Sequence, residues 1–270
     1  MSDNIHDPHS RRYHAMGTAL AVVIYLFLLA PIVVTIPMAF GPTNALTFPP
    51  ASYSLDLFKI FFSSPDWLNP LWESIKVALG ATALAMLAGA PAGYWIARHE
   101  FVGKGLITAL IMSPLVIPTI VGALGLYLYF SYLRIGGTTL SLVLGHIIVT
   151  LPYVVLMIMA GVHKLDRNLE FGAELMGAGP IRMFFTVVIP QLVPSLLSAG
   201  FFAFLISFDE VVISWFLASS NTVTLPVKMF SALEWEVSPV IAAVSTLLTT
   251  VSLLACIVAI AFKKATPVDA

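Results

Sequence analysis

Charge is scarce in this chain. Asp, Glu, Lys and Arg make up 10% of its 270 residues, where a soluble domain carries about 25%. A surface wet on all sides cannot be built from so few ionised groups. Cysteine is scarcer still. Cys256 stands alone, which excludes an internal disulfide and gives no support to a metal centre or redox pair. It lies in an apolar run and reads as a small core residue. No surplus of positive charge exists either. The formal net charge is −1, so nothing in the total speaks for nucleic acid as a partner. A G-x-x-x-x-G-K-[ST] loop, the phosphate cradle of P-loop nucleotide binders, is missing. Neither a catalytic His, Asp and Ser constellation nor a metal-ligand cluster occurs at usable spacing, so the chain is not expected to be an enzyme. His6, Asp7 and His9 belong to a polar N-terminal tail and are not expected to hold a metal.

Apolar residues are what the chain has in excess: 59% of the total, with a mean hydropathy of +0.96. The solvent for most of its surface is therefore a lipid bilayer or other apolar protein. A spanning helix needs about 20 mostly apolar residues. Residues 15–40, 71–97, 105–133, 138–160, 191–217 and 239–262 each satisfy that length. The first follows Arg11 and Arg12 as a signal peptide would, but its apolar run exceeds the roughly 7–15 residues of a signal core, and it lacks a clear small-x-small cleavage site. It reads as a retained span. Under this topology Arg11, Arg12, Arg98, Lys104, Lys164, Arg167, Arg182, Lys263 and Lys264 share one side, against Lys59, Arg134 and Lys228 on the other. The richer side marks the cytoplasm, and both termini fall there. The expected organisation is a cytoplasmic tail over 1–14, a transmembrane domain over 15–262 and a cytoplasmic tail over 263–270. Trp67, Trp72, Trp95, Trp215 and Trp235 fall near span ends, as interfacial anchors do. Pro114, Pro118 and Pro152 lie inside spans and are expected to kink them.

One cytoplasmic loop, residues 161–190, is too long for a turn and too patterned for a linker. Leu165, Leu169, Gly172, Ala173 and Met176 recur at helical spacing and form one apolar or small face. Asp166 or Asn168 can cap the helix start, and Glu170 lies in the first turn, where the helix dipole favours an acid. Gly177 suits the left-handed residue that ends a helix. Pro180 starts a second helix, with Ile181, Phe184, Phe185 and Val188 as its expected buried face. The small residues Gly172 and Ala173 permit close approach of another surface. Two readings follow: a connector packed on its own bundle, or a docking element for a cytoplasmic partner.

At these residues the chain resembles the permeases of binding-protein-dependent ABC importers. Their hallmark is Glu-Ala-Ala, three residues, Gly, nine residues, then Ile-x-Leu-Pro. Here Phe171-Gly172-Ala173 stands at the triplet, Gly177 at the glycine and Val187-Val188-Ile189-Pro190 at the ending, with the spacing intact. Phe171 replaces the motif glutamate, while Glu170 keeps the acid one position earlier. The segments Ser207-Phe208-Asp209-Glu210-Val211-Val212 and Thr224-Leu225-Pro226-Val227-Lys228-Met229-Phe230-Ser231, followed by Val237-Ser238-Pro239, are similar to the spermidine/putrescine branch, in particular to its second permease subunit. That branch also serves opines and other small organic solutes. The resemblance implies an all-α, six-span permease of the bacterial inner membrane, with a cytoplasmic coupling helix between the fourth and fifth spans. It implies a second, related permease subunit and an extracytoplasmic solute-binding protein. It also implies a cytoplasmic ATPase dimer, which binds the ATP and Mg²⁺ and grips the coupling residues Glu170, Phe171, Gly172, Ala173, Gly177 and Pro190.

Asp209 and Glu210 fall in the outer half of the fifth apolar run. An ionised acid there costs several kcal/mol unless it faces water, a partner or a cation. Either Asp209 attracts a cationic solute such as a polyamine, or the pair caps a helix break or bridges to Lys228 or the partner permease. Glu73 and Lys76, at i, i+3 spacing, are expected to form a local ion pair. Glu234 and Glu236, in the last outside loop, either meet a binding protein or are simply solvated. His146 and Tyr153 are expected to pack or hydrogen-bond within the fourth span. The competing function is an ATP-independent secondary transporter or channel, but the repeats and midplane charges common in such carriers are not evident.

Overall fold

The computed structural model of the chain describes residues 8–265, with side chains from 16 to 254. His6 and Asp7 lie outside the described residues, as do the side chains of His9, Arg11, Arg12, Cys256, Lys263 and Lys264. In chain order the helices are α1 (Pro8–Met38), α2 (Asp56–Ser63), α3 (Pro65–Arg98), α4 (Lys104–Met112), α5 (Thr119–Tyr132), α6 (Thr139–Val162), α7 (Arg167–Leu175), α8 (Pro180–Met183), α9 (Ile189–Phe208), α10 (Val212–Leu217), α11 (Leu225–Ser231) and α12 (Val240–Ala265). No strand occurs among the described residues. Hydrocarbon offers backbone N–H and C=O groups no partner, and a helix satisfies both within one segment.

The chain divides into two compact units, one made of residues up to Ser64 and from Ser231 onward, the other of Pro65–Phe230. In the first, α1 and α2 pack against α12, and α2 buries Leu57 and Phe61. Leu20, Tyr25 and Phe27 of α1 are more than half exposed, the surface a lipid-facing helix presents.

In the second unit α3, α6 and α9 pack on one another. Ala85, Val154, Ile158, Leu192, Ala199 and Ala203 are buried between them. Lipid is as apolar as leucine, so such helices associate by close van der Waals fit rather than by escape from water. Gly93 shows how close. A Cβ there would lie 3.0 Å from both the Val155 carbonyl oxygen and Ile158 Cβ.

Four helical stretches are long and apolar enough to span a bilayer: Met16–Met38, Pro65–Arg98, Thr139–Val162 and Pro180–Phe208. The last runs from α8 through a π-helical turn, Phe184–Val188, into α9. The third expected span is not one rod. α4, prolonged by a 3₁₀ turn over Ser113–Leu115, meets α5 at a 99° bend. Pro118 has no N–H to continue the helix and holds its own backbone out of helical geometry, at ψ 125°. The fifth expected span, residues 191–217, instead ends at Phe208, and α10 restarts after Asp209 and Glu210. The sixth expected span, residues 239–262, coincides with α12, whose apolar stretch with described side chains is Val240–Leu254. Trp67 is buried rather than interfacial, with the Lys228 ammonium 5.6 Å from its ring centre.

Replacing Gly93 with leucine forces α3 and α6 apart. Overpacking of this kind costs about 1–3 kcal/mol, so Gly93→Leu protein in detergent should melt several degrees lower. Gly105→Leu, where a Cβ meets nothing within 4 Å, should melt with the parent. Identical melting of the two variants would mean that the α3–α6 crossing is looser than described.

Candidate functional site

Two places combine polar chemistry with exposure: the loop between α6 and α9, and the break between α9 and α10. In the loop, Asp166 is the cap, its carboxylate accepting from the Asn168 N–H at 2.9 Å. Gly177 closes α7 in the left-handed region at φ +82°. The Ala178 N–H then donates back to the Ala173 carbonyl at 3.0 Å, which satisfies a carbonyl the helix end leaves open. Pro180 opens α8 at its first position.

Glu170 turns inward. It is 8% exposed. One carboxylate oxygen lies 2.5 Å from Nη2 of Arg98, and the other accepts from the Tyr94 hydroxyl at 2.9 Å. Arg98 also donates to the Leu165 carbonyl at 3.2 Å, and the Tyr94 ring lies 5.1 Å from that of Phe184. The last turn of α3 therefore grips both ends of the loop. Removing one partner of such a buried pair strands the other charge and costs about 3–5 kcal/mol.

The opposite face is apolar and bare. Leu175 and Met176 are each 90% exposed. Leu169 and Phe171 are about half exposed, and the Arg167 guanidinium lies 5.4 Å from the Phe171 ring centre. Gly172 and Ala173 are half-buried, and a Cβ on Gly172 would meet nothing within 4 Å. No contact inside this chain requires glycine there. Pro190 is exposed in the first turn of α9. Ile181 and Phe185, expected to be buried, are exposed instead, while Met183 and Val188 are buried. The π-helical turn inserts one extra residue, so the inward positions run 183 to 188 rather than at ordinary helical spacing.

At the break, the Asp209 N–H still donates to the Leu205 carbonyl at 3.0 Å, so Asp209 ends α9. Its side chain is exposed. Glu210 is half-buried and accepts from the Ile213 N–H at 2.9 Å, capping α10. An open groove of about 660 Å³ adjoins the break, lined by Ile120, Leu124, Tyr127, Val211, Trp215 and Phe230 among others. Behind it, His146 of α6 contacts Ser207 and Ser214 through its two ring nitrogens, at 2.8 and 2.9 Å. The expected Glu73–Lys76 pair is formed, and the Thr139 hydroxyl donates to the same carboxylate.

Tyr94 and Ser214 carry no motif signal, Ser207 stands out only as the first residue of a segment similar to the polyamine branch, and Arg98 only as a topology marker. The one available hint was that Tyr94 and Arg98, at i, i+4, share a helix face near a cytoplasmic end.

The family model for the binding-protein-dependent transport system inner membrane component matches residues 89–266. The spermidine/putrescine transport system permease protein PotC of Haemophilus influenzae is 26% identical over 88% of this chain and 92% of its own length. The putrescine transport system permease protein PotI of Escherichia coli is 29% identical over 83% of this chain and 82% of its own. The molybdate/tungstate transport system permease protein WtpB of Pyrococcus furiosus is 31% identical over 59% of this chain and 64% of its own. Among solved structures, a bacterial ABC transporter involved in alginate import has a chain that superposes with a TM-score of 0.75 at 12% identity, over 98% of this chain and 100% of that one.

The grip of α3 on the loop can be read by limited trypsin cleavage at Lys164, Arg167 and Arg182. Arg98→Ala and Glu170→Gln should each speed cleavage by about tenfold or more, since a buried pair holds the loop closed. The charge swap Arg98→Glu with Glu170→Arg should recover part of the protection. Single variants cleaved at the parent rate would refute the grip.

Proposed function

Because the chain belongs to the family of binding-protein-dependent transport system inner membrane components, and is thus a permease subunit of an ABC importer, we propose that it admits a polyamine or a related small organic cation. ATP hydrolysis in a separate subunit drives it through alternating access. The observation that carries the coupling half of this reading is the α7–α8 loop. Its acid is turned inward to Arg98 while Leu175 and Met176 face outward at 90% exposure. A loop that only joined two spans would bury those side chains on its own bundle. One held rigidly from behind with an apolar front fits a cytoplasmic ATPase surface, one loop to each ATPase of a dimer. Under this reading Phe171, Gly172, Ala173 and Gly177 shape the docking face, Pro190 fixes the entry into α9, and Glu170 transmits load to α3 instead of contacting the ATPase.

The solute half rests on Asp209. Of the adjacent acids, Glu210 is occupied as a helix cap, and Asp209 is exposed beside it. Relatives named for spermidine and putrescine support a cationic solute. The remaining parts of the proposal are a second, related permease subunit, an extracytoplasmic solute-binding protein, and both termini in the cytoplasm. ATP and Mg²⁺ reside on the ATPase and no cofactor on this chain.

Solute-stimulated ATP hydrolysis by the reconstituted complex tests both halves. Met176→Glu and Gly172→Leu should abolish stimulation and weaken ATPase association while the permease still inserts. Asp209→Asn should raise the KM for putrescine or spermidine uptake by about tenfold, the loss of one 1.4 kcal/mol interaction, with basal hydrolysis unchanged. Normal uptake kinetics in Asp209→Asn would remove the acid from the solute path. Undisturbed coupling in both loop variants would remove the docking role.

A further inference from the structure

Ser207 and Ser214 bracket the α9–α10 break, and a single residue of another helix holds both. His146 is 1% exposed, Ser207 2% and Ser214 0%. Counted from Thr139 at about 1.5 Å per residue, His146 lies roughly 10 Å inside α6, within the apolar thickness of a bilayer. A neutral imidazole has one N–H donor and one acceptor nitrogen. A hydroxyl can serve as either, so both contacts are satisfied in either tautomer. Next to it, Gly145 lets α10 settle onto α6. A Cβ at that position would lie 2.6 Å from Leu217 Cδ1 and 2.9 Å from Ile213 Cγ2. The two features fix complementary things: Gly145 sets how near α10 lies to α6, and His146 sets the register of the chain on each side of the break.

The alternatives for this histidine are weaker. Solvent does not reach it, so it is not placed to bind the solute. A packing residue of the same volume needs no hydroxyl at both ring nitrogens. A buried polar group in hydrocarbon is costly unless paired, so retaining His, Ser and Ser together implies that their pairing does something leucine and alanine would not.

We propose that His146 is the positioning residue of the acidic break: its bridge between Ser207 and Ser214 holds the Asp209–Glu210 turn at one orientation, and so sets the affinity for solute without touching it. The bridge spans both sides of the turn. Losing either contact leaves α9 and α10 held across the turn by the chain, the Glu210 cap and apolar packing on α6, with no polar bridge to fix the turn's orientation. This rests on the reading of Asp209 as a solute contact, but its structural half is independent of that reading.

The test has two readouts on the assembled complex with its ATPase and binding protein, in a Cys256→Ser background. The first follows maleimide labelling of Val211→Cys, which reports opening of the turn and needs no solute. His146→Ala and the double change Ser207→Ala with Ser214→Ala should each raise the labelling rate by about tenfold or more, the effect of losing two buried hydrogen bonds. Combining all three changes should add little further, because one bridge is lost in each case. His146→Asn and His146→Gln, which retain a polar atom near one ring nitrogen or the other, should fall between and keep the complex assembled if His146→Ala does not. The second readout is uptake: the same variants should raise KM in the order of their labelling rates, with maximal uptake changed less than KM. Labelling unchanged in every histidine variant overturns the proposal. Faster labelling with unchanged KM overturns the affinity half and keeps the bridge. Failure of the solute-contact reading appears separately, as Asp209→Asn with normal uptake.

Discussion

A backbone amide in hydrocarbon has no water to bond, so each interruption of a helix in this chain has to be repaired from within. That constraint explains why the described residues form helices and no strands, and it also explains where the chain spends its few polar side chains. At the α9–α10 break, Glu210 caps the restarting helix through the Ile213 N–H. His146 then ties the two flanking serines to α6. At the start of α11, the Leu225 N–H donates to Ser74 Oγ of α3 at 2.7 Å, and α6 begins with a reciprocal cap between Thr138 and Ser141. A chain with 10% charged residues places hydroxyls and one imidazole where helices stop.

The same economy governs the loop. A charged strut between Glu170, Tyr94 and Arg98 is expensive to bury, and an apolar pair of similar shape can be as stable. What an ion pair adds is direction. Nη2 of Arg98 reaches both Glu170 in α7 and the Leu165 carbonyl before it, which fixes how the loop sits on α3. Under the proposed coupling, force applied to the exposed face at Leu175 and Met176 is delivered to the helix that crosses α6 at Gly93, rather than lost in a flexible connector. Gly172 completes that face by leaving room that nothing in this chain fills.

Much of this was legible in the sequence, for physical reasons that differ from place to place. Apolar length is set by bilayer thickness, so α1, α3, α6 and α12 follow from hydropathy with ends displaced by a few residues. The loop followed from punctuation, since Asp166, Gly177 and Pro180 each have a backbone geometry that suits one position. The breaks were harder. Pro118 was read as a kink, but a 99° bend also depends on what α4 and α5 pack against. The run through Asp209 and Glu210 is apolar enough on average to pass for one span. The inward turn of Glu170 was illegible because its hydroxyl partner Tyr94 is 76 residues away. The exposure of Ile181 and Phe185 was misread because a π-helical turn leaves no periodic signature in so short a helix.

Under the proposed reading, the acidic pair is a means by which a shared fold serves different solutes. A relative named for spermidine and putrescine and one named for molybdate and tungstate both align with this chain. A continuous helix has little with which to choose, because its polar backbone is consumed internally. A break exposes backbone groups and lets adjacent residues take separate tasks. Here Glu210 is drawn in as the cap, and Asp209, about 100° away had the helix continued, is left outward. An exposed carboxylate in an apolar region is tolerable only against water, a cation or a partner. With the neighbouring acid occupied by the Ile213 N–H, Asp209 is the exposed acid to which the proposed function assigns the solute. Under the proposed reading the affinity for solute depends on how the turn is held, and in this chain the buried imidazole of His146 contacts a serine on each side of it.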